Sequence, residues 1–94
     1  MLVERFIITD KMGIHARPAT KLVQAANKFT STIQLGFEDT QVNMKSITGI
    51  MTLGITEGMI IEVMTAGEDE REASQKLCEL IEKECIGVSA TAII

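Results

Sequence analysis

The 94-residue chain has no tryptophan or tyrosine, one histidine, one proline and two cysteines, and each scarcity removes a class of function. Three phenylalanines cannot supply the stacking platforms on which nucleic acids bind, and a net charge of −4 offers no basic footprint in their place. One histidine and two widely spaced cysteines form no short ligand pair, so no metal site is expected. On a single helix, Cys78 and Cys85 would hold their Cα atoms about 10 Å apart, beyond the ~7 Å a disulfide spans. Both are expected as free thiols, in keeping with a reducing compartment. The longest stretch without an ionisable side chain, Ser46 to Thr56, is 11 residues, against the roughly 20 that a membrane helix needs. Glu4 and Arg5 interrupt the N-terminal apolar run, which argues against a secretory signal. A cytoplasmic protein without membrane insertion is the expectation.

What is present describes a folding chain, with 46% apolar and 23% charged residues. Its length suits one compact domain, residues 1–94, burying about 60–65% of its unfolded surface. Residues 1–50 hold 6 basic and 4 acidic side chains, whereas residues 51–94 hold 3 and 9. The acidic second half reads as a solvated helix face, and the basic first half suits an acidic partner.

Leu2 to Thr9 is β-branched and aromatic, a strand with imperfect alternation at Phe6-Ile7-Ile8. Ala19, Leu22, Val23 and Ala26 then fall on one helical face, and Pro18 is tolerated only in a first turn, so a helix starts at Ala16 or Arg17. Ile33, Leu35 and Phe37, then Val42 and Met44, alternate around Glu38-Asp39-Thr40 as a hairpin. Ser46 is a favoured N-cap for a short helix carrying Ile47, Ile50 and Met51. Met59 to Met64 alternates as a fourth strand. Ala73, Leu77, Leu80 and Ile81 mark a last helix, with Glu68, Asp69, Glu70 and Glu72 at its positive end. The order β-α-β-β-α-β-α predicts an α+β fold, a four-stranded, mainly antiparallel sheet with three helices on one face and solvent on the other. The apolar tail, residues 86–94, has no assignment from its pattern.

Two segments carry chemistry. His15 stands just before the first helix in Gly13-Ile14-His15-Ala16-Arg17-Pro18-Ala19, where unpaired first-turn N–H groups and the helix dipole favour an anion. A phosphate on the imidazole would sit in that positive field, and the planar donors of Arg17 suit its oxygens. The same field disfavours the imidazolium and keeps a nitrogen lone pair for nucleophilic attack. In the second segment, Lys45-Ser46-Ile47-Thr48-Gly49-Ile50-Met51, a phosphate on Ser46 would add about −1.5 to −2 charges at a helix N-terminus. Thr20, Ile47 and Met51 are candidates for the contact surface around it. Each segment also has an ordinary reading, a loop-end histidine beside a solvated arginine in the first and a plain serine N-cap in the second. Gly49 and Gly54 lack the Lys-Ser/Thr pair of a phosphate-binding loop.

Taken together, the two segments resemble the active-site signature and the regulatory-serine segment of HPr, the histidine phosphocarrier family of the phosphoenolpyruvate-dependent sugar phosphotransferase system. The resemblance covers about residues 1–85, and its motifs match in spacing and element order. It implies that His15 accepts a phosphoryl group from phosphorylated enzyme I and passes it to sugar-specific enzyme IIA domains, with Arg17 stabilising the phosphohistidine. It implies a carrier rather than a turnover enzyme, monomeric and without cofactor. The Lys45-Ser46 form resembles Gram-positive-type members, in which HPr kinase/phosphorylase modifies the serine and the product serves as corepressor with the catabolite control protein CcpA. Thr48 replaces the larger apolar residue common in the family, which makes the docking patch smaller. The tail beyond about residue 86 exceeds the usual family length.

Overall fold

The computed structural model describes residues 1–90. It contains β1 (Leu2–Ile8), α1 (Ala16–Ala26), β2 (Thr32–Phe37), β3 (Thr40–Asn43), α2 (Ile47–Thr52), β4 (Ile60–Ala66), α3 (Glu70–Lys83) and β5 (Gly87–Ser89). The strands form one antiparallel sheet in the order β3-β2-β4-β1-β5, with β4 between β2 and β1. The period-2 pattern explains which face is covered. Phe6 and Ile8 of β1, Ile33 and Leu35 of β2 and Ile61 and Val63 of β4 are buried together with Leu22, Ile50, Leu77 and Ile81 from the three helices. On the opposite face Val3, Arg5, Ile60 and Val88 are exposed, and Arg5 pairs with Glu62 across the β1–β4 ladder at 2.9 Å. The imperfect alternation of β1 resolves here, since Ile7 lies on this open face between its register partners Ile60 and Val88.

Among the described residues the sheet has five strands, one more than the pattern predicts. Gly87–Ser89 pairs with β1 in the register Gly87↔Ile8, Val88↔Ile7 and Ser89↔Phe6. Three residues are too few to display a period, and the strand exists because β1 offers an unpaired edge beside the end of α3. A Cβ on Gly87 would lie 2.7 Å from the carbonyl oxygen of Ile7, so the close approach requires glycine. The rest of the apolar tail, residues 91–94, lies outside the described residues.

The chain enters β5 through a Schellman turn. Cys85 adopts φ 57°, its N–H donates to Glu82, and the N–H of Ile86 donates to Ile81. Ile86, immediately after the left-handed residue, is buried. Both cysteines are free thiols, and burial pushes the half-buried Cys78 thiol up from its ordinary value.

Two boundaries differ from the pattern for identifiable reasons. Met44 lies beyond β3, yet its N–H still donates to the carbonyl of Ile33 at 2.9 Å and its side chain is fully buried. At α3 the helix begins at Glu70, and the carboxylate of its N-cap, Asp69, turns away from the helix. It accepts hydrogen bonds from the backbone N–H groups of Thr30 and Ser31, both at 2.9 Å, and from the Ser31 hydroxyl. Those bonds bring the Asp69 carboxyl down to about 2 and join the start of α3 to the approach to β2.

Candidate functional site

α1 starts where the sequence places it, with His15 as an extended N-cap at φ −91° and ψ −170°. The imidazole makes no capping hydrogen bond, and the first turn contains no acidic residue. The earliest helical bond runs from the N–H of Ala19 to the carbonyl of His15 at 3.1 Å. Pro18 has no N–H, so Ala16 and Arg17 present the free first-turn donors. The positive end of α1 is thus left uncompensated by side chains of its own first turn.

The loop before the helix is held by glycine and by a turn. Gly13 has φ +67°, and a Cβ there would stand 2.1 Å from the carbonyl oxygen of Ile55. The next residue, Ile14, donates to that same oxygen at 3.1 Å. The loop is therefore pressed against the chain that follows α2, and no side chain larger than hydrogen fits at residue 13. The turn itself is made by Asp10, whose backbone carbonyl accepts from Gly13 at 2.8 Å and whose Oδ1 accepts from Met12 at 2.9 Å.

His15 and Arg17 line a cleft of about 640 Å³ with Asp10, Met12, Ala16, Pro18, Lys21, Glu84 and Ile86. Asp10 Oδ2 lies 3.7 Å from His15 Nε2. Lys21 is hydrogen-bonded to Glu84, which holds that carboxyl below its usual range. Asp10, Lys21 and Glu84 are the neighbours that the motif reading missed. The Asp-x-x-Gly turn signal was there for Asp10, whereas no local signal brings Glu84, at the end of α3, beside residues 15–21.

The second segment takes its expected form at a different place. Ser46 N-caps α2, and its hydroxyl oxygen accepts from the N–H of Gly49 at 3.1 Å. Lys45 is anchored beneath it, with Nζ donating to the carbonyl of Phe29 at 2.7 Å. Asn27, the C-cap of α1, donates to the carbonyl of Lys45, while the loop ahead of α1 bonds to Ile55 behind α2. α1 and α2 therefore run antiparallel. Ser46 lies near the far end of α1, an 11-residue helix about 16 Å long, from His15.

Ile47 and Met51, 42% and 41% exposed and one turn apart, form the apolar surface of α2, with Thr48 exposed beside them. Thr20 commits its hydroxyl to the carbonyl of Ala16 at 2.8 Å. Thr20, Ile47, Thr48 and Met51 are not among the residues lining the His15 cleft. Among the described residues, no group of three or more His, Cys, Asp or Glu is arranged to hold a metal ion. No described helix is long and apolar enough to cross a membrane.

The family model for the PTS HPr component phosphorylation site matches residues 3–83. The chain is 46% identical over 82 residues to a phosphocarrier protein HPr of Xylella fastidiosa strain 9a5c, a match covering 87% of this chain and 92% of that one. Its fold is similar to the histidine-containing phosphocarrier protein of Mycoplasma, with a TM-score of 0.89 at 35% identity over 92% and 98% of the two chains. It is also similar to the Bacillus subtilis catabolite repression protein Crh, crystallised as a domain-swapped dimer, with a TM-score of 0.71 at 43% identity over 79% and 85%.

Proposed function

The chain belongs to the HPr family, the phosphocarriers of the sugar phosphotransferase system, and on that premise we propose that His15 is the residue that carries the phosphoryl group. The observation that supports this most is the N-cap geometry. His15 opens α1 without using its imidazole as a cap, at a helix end with free N–H donors and no first-turn acid. A lone pair on the ring attacks the phosphorus presented by phospho-enzyme I, and the transferred group comes to rest against the Ala16 and Arg17 N–H groups. The Arg17 guanidinium supplies charge and orientation, the main levers in phosphoryl transfer. Transfer to an enzyme IIA domain reverses the same step.

In this reading the whole chain, residues 1–94, works as one unit in the cytoplasm. It acts as a monomer, although some relatives form dimers. Its docking surface includes Thr20, Ile47, Thr48 and Met51, of which Ile47 and Met51 supply the apolar contact. Ser46 is a regulatory site for HPr kinase/phosphorylase. A phosphate there keeps the favourable helix-dipole interaction but places negative charge beside the exposed α2 face. That charge disfavours an acidic phosphoryl donor and offers a new contact to the catabolite control protein CcpA.

The test is phosphorus NMR after incubation with enzyme I and phosphoenolpyruvate, and separately with HPr kinase and ATP. The first sample should show one acid-labile, base-stable phosphohistidine, absent from His15→Ala. Phosphate uptake by that variant sinks the assignment. The second should show phosphoserine that Ser46→Ala abolishes while its His15 phosphorylation persists; loss of both signals in Ser46→Ala removes the separation of the two sites.

A further inference from the structure

We propose that Asp10 is a positioning residue for phosphoryl transfer, holding the proton of His15 on Nε2 so that Nδ1 faces the incoming phosphorus with its lone pair. The inference deepens the reading of His15 as the phosphoryl acceptor and rests on it.

Asp10 is fastened at three points. Its N–H donates to the carbonyl of Ile86 at 3.3 Å, its own carbonyl accepts from Gly13, and Oδ1 accepts from the N–H of Met12. With one carboxylate oxygen occupied by the turn, the other, Oδ2, lies 3.7 Å from His15 Nε2. That separation is beyond a hydrogen bond, as is common in resting sites whose bonds shorten when the reacting partner arrives. A neutral imidazole has one N–H and one lone pair, so a carboxylate beside Nε2 selects the Nε2–H tautomer. Among the described residues, the other charged groups lining the cleft are Arg17, Lys21 and Glu84, and Lys21 and Glu84 are bonded to each other. Asp10 is therefore the carboxylate placed against the ring itself.

In the step, the Nδ1 lone pair forms the N–P bond while the bond from phosphorus to its donor breaks, and that electron pair leaves with the donor. Nε2 keeps its proton, the ring takes up positive charge, and the Asp10 carboxylate offsets it. On transfer to the next acceptor the N–P bonding pair returns to Nδ1 and the ring is neutral again.

Asp10→Asn is the decisive variant. Its amide oxygen preserves the bond to Met12, while its NH₂ group, placed where Oδ2 was, donates to Nε2 and drives the proton to Nδ1. Long-range proton–nitrogen NMR at a pH where the ring is neutral should show predominantly the Nε2–H tautomer in the native protein and the Nδ1–H tautomer in the variant. The kcat of enzyme I with this chain as phosphoryl acceptor should fall about tenfold or more, with its KM for the chain little changed, by the logic of a misdirected tautomer. A native protein in the Nδ1–H form overturns the proposal without recourse to any variant. So does an Asp10→Asn protein with the native tautomer and a kcat within about twofold of native, provided the native protein still becomes phosphorylated on His15. If native His15 takes no phosphate at all, the acceptor reading itself fails, and the Asp10 proposal falls with it.

Discussion

The N-termini of α1 and α3 are built in opposite ways. At α3, Glu70 and Glu72 occupy the first turn, and Glu70 accepts from Gly67 and pairs with the chain's amino terminus at 3.3 Å. Asp69 ties the same corner to Thr30 and Ser31. At α1 the first turn has no acid, and the charged side chain inside it is the cation Arg17. One positive helix end is neutralised by acids of its own first turn, and the other has none there, as the proposed phosphoryl site requires. The difference shows what a candidate phosphoryl site gives up. A first-turn acid stabilises a helix by about 0.3–1 kcal/mol, and α1 forgoes it, while the N-cap side chains of both helices leave their own helix uncapped.

Substitutions can break or sharpen that contrast. The largest expected effect comes from giving α1 the cap it lacks. His15→Ser should abolish phosphoryl uptake while raising stability by about 1 kcal/mol in urea denaturation. A variant less stable than native would show that the histidine contributes to the helix end in its own right. Next is Gly13→Ala, which forces a Cβ onto the carbonyl oxygen of Ile55 at a positive φ and should cost about 2–4 kcal/mol in the same measurement.

At α3 the contrast can be tested by pH. The Asp69 carboxyl is held down to about 2 in the folded chain by Ser31 and Thr30. A depressed carboxyl contributes stability that is fully present above its unfolded value near 4 and is lost as pH falls toward 2. Asp69→Asn should therefore melt below native at pH 7, with the gap in Tm closing between about pH 5 and pH 2. A gap independent of pH would assign the effect to packing instead of charge. The smallest effect lies at the other end of α3, where Cys85→Gly removes the left-handed penalty of a side chain and should add roughly 1 kcal/mol.

Much of this was legible in local pattern, and the misses have a common origin. The start of α1 followed from Pro18 and the spacing of Ala19, Leu22, Val23 and Ala26, and the serine cap of α2 from Ser46 itself. β5 was not legible, because three residues carry no period and the partner edge lies about 80 residues earlier in β1. Asp69 looked like a member of the acidic first turn, but its carboxylate answers to backbone groups almost 40 residues away. Asp10, Lys21 and Glu84 came to the cleft from three separate elements, so the motif around His15 held only part of it.

By itself, the sequence determined where α1 and α2 begin, which strand face is apolar, and that His15 and Ser46 both stand at helix N-termini. Those are properties of neighbours within a turn or two, set by side-chain period, proline and capping chemistry. Only the tertiary structure decided that β1 has a further partner, that α2 runs back along α1 and separates the two candidate sites, and which charges surround the imidazole. These outcomes depend on backbone groups and carboxylates finding partners across the closed chain, and pairing over such distances is set by packing of the whole sheet and its helices, which local pattern does not record.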